Sequence, residues 1–174
     1  AIPGEHNVYN AMAAAAVGLA LGLSEAQICA GIEAARTIGG RTNLIEANGY
    51  LVIDDCYNAN PVSMKAAIDV LTQGEGRTIA VLGDMGELGA LTDQAHYNMG
   101  ALAAMLGIDF VLAIGEKAAR IADGAAQSGG EVLHFSTKEE ALRTLKQELR
   151  PGTAMLVKAS HWPLYTSDAA DKPH

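Results

Sequence analysis

The chain has 174 residues, 49% hydrophobic and 18% charged, which is enough apolar material for a packed core and excludes a disordered protein. Its formal net charge of −8 repels phosphate backbones and anionic headgroups, which argues against nucleic acid and membrane surfaces as partners. The two cysteines, Cys29 and Cys56, lie far apart and make neither a disulfide scaffold nor a zinc site. No apolar run reaches the roughly 20 residues that cross a bilayer, so we expect a cytoplasmic protein without membrane insertion.

The first part of the chain is predicted to be helical. Residues 8–21 are nearly all Ala, Val, Met and Leu, which indicates one helix. A second helix is predicted over 24–36, with Ser24 as its N-cap and Gln27 at the third helical position. Paired glycines follow this helix and are typical of a flexible connection. We therefore predict a hinge at 39–42.

Strands and helices alternate beyond the hinge. Asn48 and Gly49 separate two short apolar runs, 44–47 and 50–53, and this dipeptide is the strongest short-range signal for a two-residue hairpin. The later helices are predicted at 61–71, 93–106, 117–126 and 138–149, and the strands at 78–82, 110–114, 132–134 and 154–157. Such alternation predicts an α/β fold: a Rossmann-like, mostly parallel sheet with helices on both faces, preceded by a short helical segment.

Polar residues gather where the predicted strands end, which is the edge of a parallel sheet that meets ligands. Asp55 follows a strand and is well placed to accept hydrogen bonds from ribose hydroxyls. Asn60 precedes Pro61, so capping of the next helix explains it as well as contact with a ligand does. The polar strand ends are 54–61, 82–89 and 157–161.

The loop at 82–89 has three glycines at intervals of three but lacks the Gly-x-Gly start of a dinucleotide fingerprint, which excludes a simple NAD site. Asp84 and Glu87 in this loop can present carboxylates to a small charged substrate such as an amine, although a solvated turn is equally consistent. Asn7 and Asn10 share one face of the first helix, where the Asn10 amide can read a purine edge or act as a cap.

Four stretches, in this order and spacing, resemble the Mur ligases of bacterial cell-wall synthesis. They are GEHNVYNA at 4–11, GR at 40–41, IDDCYNANPVSM at 53–64 and LGDMGELG at 82–89. The resemblance extends from about residue 4 to about residue 160. Within the family, the last two stretches are most similar to the ligase that adds D-Ala-D-Ala to UDP-N-acetylmuramoyl-tripeptide.

This resemblance implies an amide ligase that uses ATP and Mg²⁺, in which the tripeptide carboxylate is phosphorylated and the D-Ala-D-Ala amine attacks the acyl phosphate. It implies that Asn10 touches adenine with His6 and Asn7 nearby, that Arg41 approaches the phosphates, and that Asp55 binds the ribose. Asn58 and Asn60 then complete the nucleotide edge. Residues expected to face D-Ala-D-Ala are Asp84, Glu87, Lys158 and Ser160.

The resemblance also implies a domain organisation. Residues 1–38 are expected to be the last helices of a central ATPase domain, 43–161 a C-terminal Rossmann-like ligase domain, and 162–174 an atypical tail. The chain holds no Gly-x-x-x-x-Gly-Lys-Ser/Thr loop, and the family's catalytic lysine and magnesium ligands are also expected outside it. We therefore expect a monomeric fragment that is inactive alone. The alternative is a stand-alone nucleotide-binding domain without catalysis.

One stretch near the end departs from the family. The family's Lys-Gly-Ser-Arg reads Lys-Ala-Ser-His at 158–161, so His161 is not expected to inherit the role of the arginine.

Overall fold

The computed structural model describes residues 2–36 and 40–160. The predicted tail 162–174, His161, and Gly39 of the predicted hinge lie outside the described residues. Two helices, α1 (Glu5–Ala20) and α2 (Glu25–Ala34), precede an α/β unit. That unit consists of β1 (Asn43–Ala47), β2 (Tyr50–Asp54), α3 (Pro61–Leu71), β3 (Thr78–Gly83), a 3-10 turn (Gly89–Leu91), α4 (Thr92–Met105), β4 (Phe110–Ile114), α5 (Ala119–Gln127), β5 (Val132–Phe135), α6 (Lys138–Glu148) and β6 (Ala154–Lys158). The predicted element order is confirmed, with small differences at the ends.

The strands form one six-stranded sheet in the order β1-β2-β6-β3-β4-β5. β1 runs antiparallel to β2, and the other neighbouring strands are parallel. The hairpin predicted between β1 and β2 is confirmed. Asn48 and Gly49 both have positive φ angles, 52° and 78°, as a type I′ turn requires.

Helices cover both faces of the sheet, as the sequence predicts. On one face, α3, α4 and α5 bury Ile68, Met99 and Ile121 against the sheet. On the other face, α6 packs Ala141 and Leu145 onto the strands. β3, β4 and β6 are buried along their whole lengths, which explains why they are continuous apolar runs rather than alternating ones.

The helices α4 and α5 touch through their backbones. A Cβ atom at Gly100 of α4 would collide with the carbonyl of Ile121, and one at Gly124 of α5 would collide with the carbonyl of Tyr97. Each glycine therefore makes room for the backbone of the other helix. This contact fixes the position of α4, which carries the buried His96.

The first two helices are largely exposed. Ser24 and Gln27 form the predicted capping box at the start of α2. Gly18 is the one buried residue that α1 and α2 contribute in the described part of the chain. Large apolar side chains on α1 remain in contact with solvent, namely Val8, Tyr9, Met12, Val17 and Leu19. Within residues 2–36 and 40–160, the helices are too short or too polar to span a bilayer.

Candidate functional site

A cleft of about 800 Å³ lies between the start of α1 and the carboxyl end of β2. It brings together two segments that are distant in sequence, the first turns of α1 and residues 41–63. Lys158, at the end of β6, also lines the cleft. All the residues predicted to bind the nucleotide line it: His6, Asn7, Asn10, Arg41, Asp55, Asn58 and Asn60.

The centre of the cleft wall is an ion pair between Lys158 and Asp55. The Lys158 side chain is 1% exposed, and its Nζ lies 2.5 Å from Oδ2 of Asp55. Nζ also donates to the Asn58 carbonyl at 3.0 Å and lies 3.5 Å from the Asp55 carbonyl. The other carboxylate oxygen of Asp55 accepts the Thr42 amide at 2.9 Å. Because the pair is buried, losing either partner alone should cost about 3–5 kcal/mol.

The preceding residue, Asp54, contacts the same segment. Its Oδ2 accepts the Gly40 amide at 3.1 Å, while its buried Oδ1 has no hydrogen-bond partner in the described part of the chain. Adjacent carboxylates at the end of β2 therefore hold the backbone at Gly40 and Thr42, two residues of the predicted hinge. Thr42 is buried and adopts a φ of 46°.

Two asparagine side chains hold the loop after β2 by accepting hydrogen bonds from backbone amides. Oδ1 of Asn60 accepts the Ser63 amide at 2.8 Å, so Asn60 caps α3. Oδ1 of Asn58 accepts the Ala59 amide at 2.8 Å. Sequence left capping and ligand contact open for Asn60. The structure shows the cap, and contact with a nucleotide stays a prediction.

Three polar residues line up at the start of α1. Nδ2 of Asn7 donates to the Pro3 carbonyl at 2.7 Å and lies 3.0 Å from Nε2 of His6. Oδ1 of Asn7 accepts from Nδ2 of Asn10 at 3.2 Å. The second amide hydrogen and Oδ1 of Asn10 have no partner among the described residues, and their pairing with a purine edge stays a prediction.

Tyr57 is a cleft residue that sequence reasoning missed. The guanidinium of Arg41 lies over its ring, 4.0 Å from the ring centroid, and the ring is half exposed. Its position, two residues after Asp55 in the same strand-end loop, could have indicated that Tyr57 lines the cleft. Arg36 also lines the cleft, but it donates to three carbonyls at the end of α2.

A second, smaller pocket of about 240 Å³ opens beside the carboxyl ends of β3, β4 and β6. Of the residues predicted to face the dipeptide, Asp84 and Ser160 line it, together with Ser136 and Lys138. Glu87 is exposed, has a φ of 60°, and is not among the residues that line this pocket.

Ser160 links the strand-end loops. Its Oγ accepts the Ala59 amide at 3.2 Å and the Gly86 amide at 3.1 Å. Its own amide donates to the Asp84 carbonyl at 3.1 Å. The loop after β2 and the loop after β3 are therefore both hydrogen-bonded to one residue after β6.

The loop after β3 is fixed by two further contacts. Oδ1 of Asp84 accepts the Ala118 amide at 2.8 Å, ahead of α5. The amide of Met85 donates to Nε2 of the fully buried His96 at 2.9 Å, and Nδ1 of His96 lies 2.7 Å from the Thr92 carbonyl. These partners fit a neutral imidazole with its proton on Nδ1.

Cys56 lies between the two carboxylates and the core. Burial, reinforced by the negative charge of Asp54, raises the pKa of its thiol to about 12. Its Sγ donates to the Val157 carbonyl at 3.3 Å. Within residues 2–36 and 40–160, no group of three or more His, Cys, Asp or Glu side chains is placed to hold a metal ion.

The fold and its cleft define a Rossmann-like α/β domain with a polar cleft at the carboxyl edge of the sheet. Residues 40–161 match the family model described as "Mur ligase, glutamate ligase domain". The chain belongs to the Mur ligase family.

Individual relatives agree with this assignment. The chain is 39% identical over 164 residues to the UDP-N-acetylmuramoyl-tripeptide–D-alanyl-D-alanine ligase of Bacillus subtilis, covering 91% of this chain and 36% of that protein. It is similar to the crystal structure of MurF from Acinetobacter baumannii, with a TM-score of 0.82 and 42% identity over 90% of this chain and 35% of that one. The Thermotoga maritima MurF structure in complex with ADP has a TM-score of 0.70 and 26% identity, covering 83% of this chain and 32% of that one. The chain thus spans about a third of the length of these relatives.

Proposed function

We propose that the chain is the C-terminal part of an ATP-dependent ligase that joins D-Ala-D-Ala to UDP-N-acetylmuramoyl-tripeptide in the cytoplasm. The observation that carries the proposal is that the motif residues of α1 and of the loop after β2 line one cleft. The similarity to the Bacillus subtilis ligase and to a MurF bound to ADP supports the choice of substrates and nucleotide.

In this proposal the cleft holds the adenosine part of ATP. Asn10 pairs with the adenine, with Asn7 and His6 orienting it, and Asp55 accepts the ribose hydroxyls. Arg41 reaches the phosphates, and Asn58 and Asn60 form the edge beside the ribose. ATP supplies the phosphoryl group that activates the tripeptide carboxylate. We assign Mg²⁺ to the triphosphate and to ligands mostly outside this chain.

The smaller pocket is the proposed binding site for D-Ala-D-Ala. Asp84 and Ser160 line it, and Lys138 adds a positive charge that suits the dipeptide carboxylate. Lys158 lines the cleft, and Ser160, two residues later, lines the smaller pocket. Glu87 is proposed to face the amine from the rim. Asp84, Glu87 and Ser160 bind and orient the amine for attack on the acyl phosphate.

The first two helices are proposed to belong to the ATPase domain, residues 1–38, with the hinge at 39–42 and the C-terminal domain at 43–161. The exposed apolar side chains of α1, such as Met12 and Val17, support a packing partner outside this chain. The family model begins at residue 40, which supports a boundary there. We propose that the enzyme is a monomer and that residues 162–174 form an atypical tail.

The test uses the full-length ligase that carries this chain, assayed for ATP-dependent joining of D-Ala-D-Ala to the tripeptide. The variant Asp55→Asn keeps the shape of the side chain and should raise the KM for ATP by about tenfold, because a charged acceptor of the ribose is lost. Asp69→Asn, at an exposed helix pair with Lys65, is the matched control. An unchanged KM for ATP in Asp55→Asn would refute the ribose assignment, and absence of joining activity in the wild type would refute the function.

A further inference from the structure

We propose that Lys158 is a positioning residue, which holds the Asp55 carboxylate in the orientation that receives the ribose hydroxyls. The inference rests on the proposed role of Asp55 in nucleotide binding. It gives Lys158 a different task from the contact with D-Ala-D-Ala that the sequence predicts. Lys158 acts through Asp55 and does not touch a substrate.

Lys158 uses all of its hydrogen-bond donors within the protein. A lysine ammonium has three hydrogens, and three acceptors lie within 3.5 Å of Nζ: Oδ2 of Asp55 and the carbonyls of Asp55 and Asn58. The side chain is 1% exposed, so solvent and ligands have almost no access to it. Every donor of Lys158 is therefore directed at the protein, and none is left for a dipeptide.

Asp55 keeps acceptor positions that Lys158 does not use. Its carboxylate offers about four acceptor positions. Lys158 takes one on Oδ2, and the Thr42 amide takes one on Oδ1. The side chain is 14% exposed and lines the cleft. Contacts on both oxygens fix the plane of the carboxylate, and acceptor positions remain for hydroxyl groups in the cleft.

Lys158 is a charged residue at the end of an apolar strand. A buried ion pair is often no more stable than apolar side chains of similar volume, because desolvation offsets the attraction. β6 is otherwise apolar, with Ala, Met, Leu and Val before Lys158. The pair as a whole therefore adds little to stability that two apolar side chains would not. What it does provide is a rigid carboxylate at the neighbouring strand end.

The experiment measures how strongly the full-length ligase discriminates ATP from 2′,3′-dideoxy-ATP, which lacks both ribose hydroxyls. The wild type should bind ATP about tenfold or more tightly, since each lost bond to a charged acceptor is costly. In Lys158→Met the ratio should fall to about threefold or less, because the carboxylate is no longer fixed. Lys65→Met, on an exposed lysine that pairs with Asp69 at 2.5 Å, is the matched control and should keep the wild-type ratio.

The ratio separates positioning from a general loss of structure. A Lys158 variant that only loosened the fold would weaken both nucleotides equally and keep the wild-type ratio, which would overturn the inference. Lys158→Arg retains the charge and should restore part of the ratio. If Lys158→Met does not fold, Lys158→Gln is measured in the same way with the same expected loss. Equal binding of the two nucleotides by the wild type would instead refute the ribose role of Asp55, and with it the proposed nucleotide site.

Discussion

Ser160→Ala tests whether one hydroxyl holds the strand-end loops together. The substitution removes an acceptor of two backbone amides, those of Ala59 and Gly86, and leaves the Ser160 backbone unchanged. The Ala59 amide keeps Oδ1 of Asn58 at 2.8 Å, whereas the Gly86 amide loses the acceptor that Ser160 provides. An amide that loses its partner in a buried place costs about 1–3 kcal/mol. Both bonds are 3.1–3.2 Å long and only partly buried, so water can replace some of the loss. We therefore take about 1 kcal/mol in all, nearly all of it from the Gly86 amide.

The free energy of unfolding is measured by urea denaturation of the chain, followed by circular dichroism. For a chain of this size, about 1 kcal/mol corresponds to a fall in Tm of roughly 2–4 °C in a thermal melt. Ser128→Ala, at an exposed helix end, is the control and should change stability by less than about 0.5 kcal/mol. A change as small as this in Ser160→Ala would refute the reasoning, because the Gly86 amide would then have another partner.

Further predictions concern the packing and the buried groups. Gly100→Ala should destabilise the chain by about 1–3 kcal/mol, since the new methyl meets the backbone of α5. Gly31→Ala should stabilise the chain by about 1 kcal/mol, because Gly31 lies in a helix with open space around it. Urea denaturation of both variants checks this, and shifts of the same sign would contradict it. At pH 8, iodoacetamide should label the exposed Cys29 and leave Cys56 unmodified in the folded chain, because the raised pKa of Cys56 keeps its thiol protonated. Peptide mass spectrometry identifies the labelled cysteine, and equal labelling of both would exclude this explanation. His96→Ala should lower the free energy of unfolding by about 3 kcal/mol, because it leaves a cavity and an unpaired Met85 amide. Urea denaturation measures this, and a loss below about 1 kcal/mol would show that the imidazole is replaceable.

Much of the fold follows from local patterns. The turn at Asn48 and Gly49 needs two positive φ angles, which this dipeptide tolerates, and the structure has them. The cap of α3 likewise depends on neighbours, Asn60 and Ser63, which are three residues apart. Such features depend on short segments, so the sequence is sufficient to predict them.

The site was harder to predict because its decisive contacts join distant segments. Sequence placed Lys158 and Ser160 at a strand end but could not show what they touch. Lys158 meets Asp55, 103 positions earlier, and Ser160 meets Ala59, 101 positions earlier. Periodicity carries no information about such partners, because the order of the strands in the sheet decides them. The stacking of Arg41 on Tyr57 was missed for a similar reason.

The strand order has a consequence for how the domain folds. β6 is made after every other strand, yet it lies between β2 and β3 in the sheet. Before it is inserted, the sheet consists of a separate hairpin, β1-β2, and a three-stranded part, β3-β4-β5. Pairings over such long separations are slow to form. The cleft, which Lys158 of β6 lines, is therefore complete only after β6 has joined the two parts of the sheet.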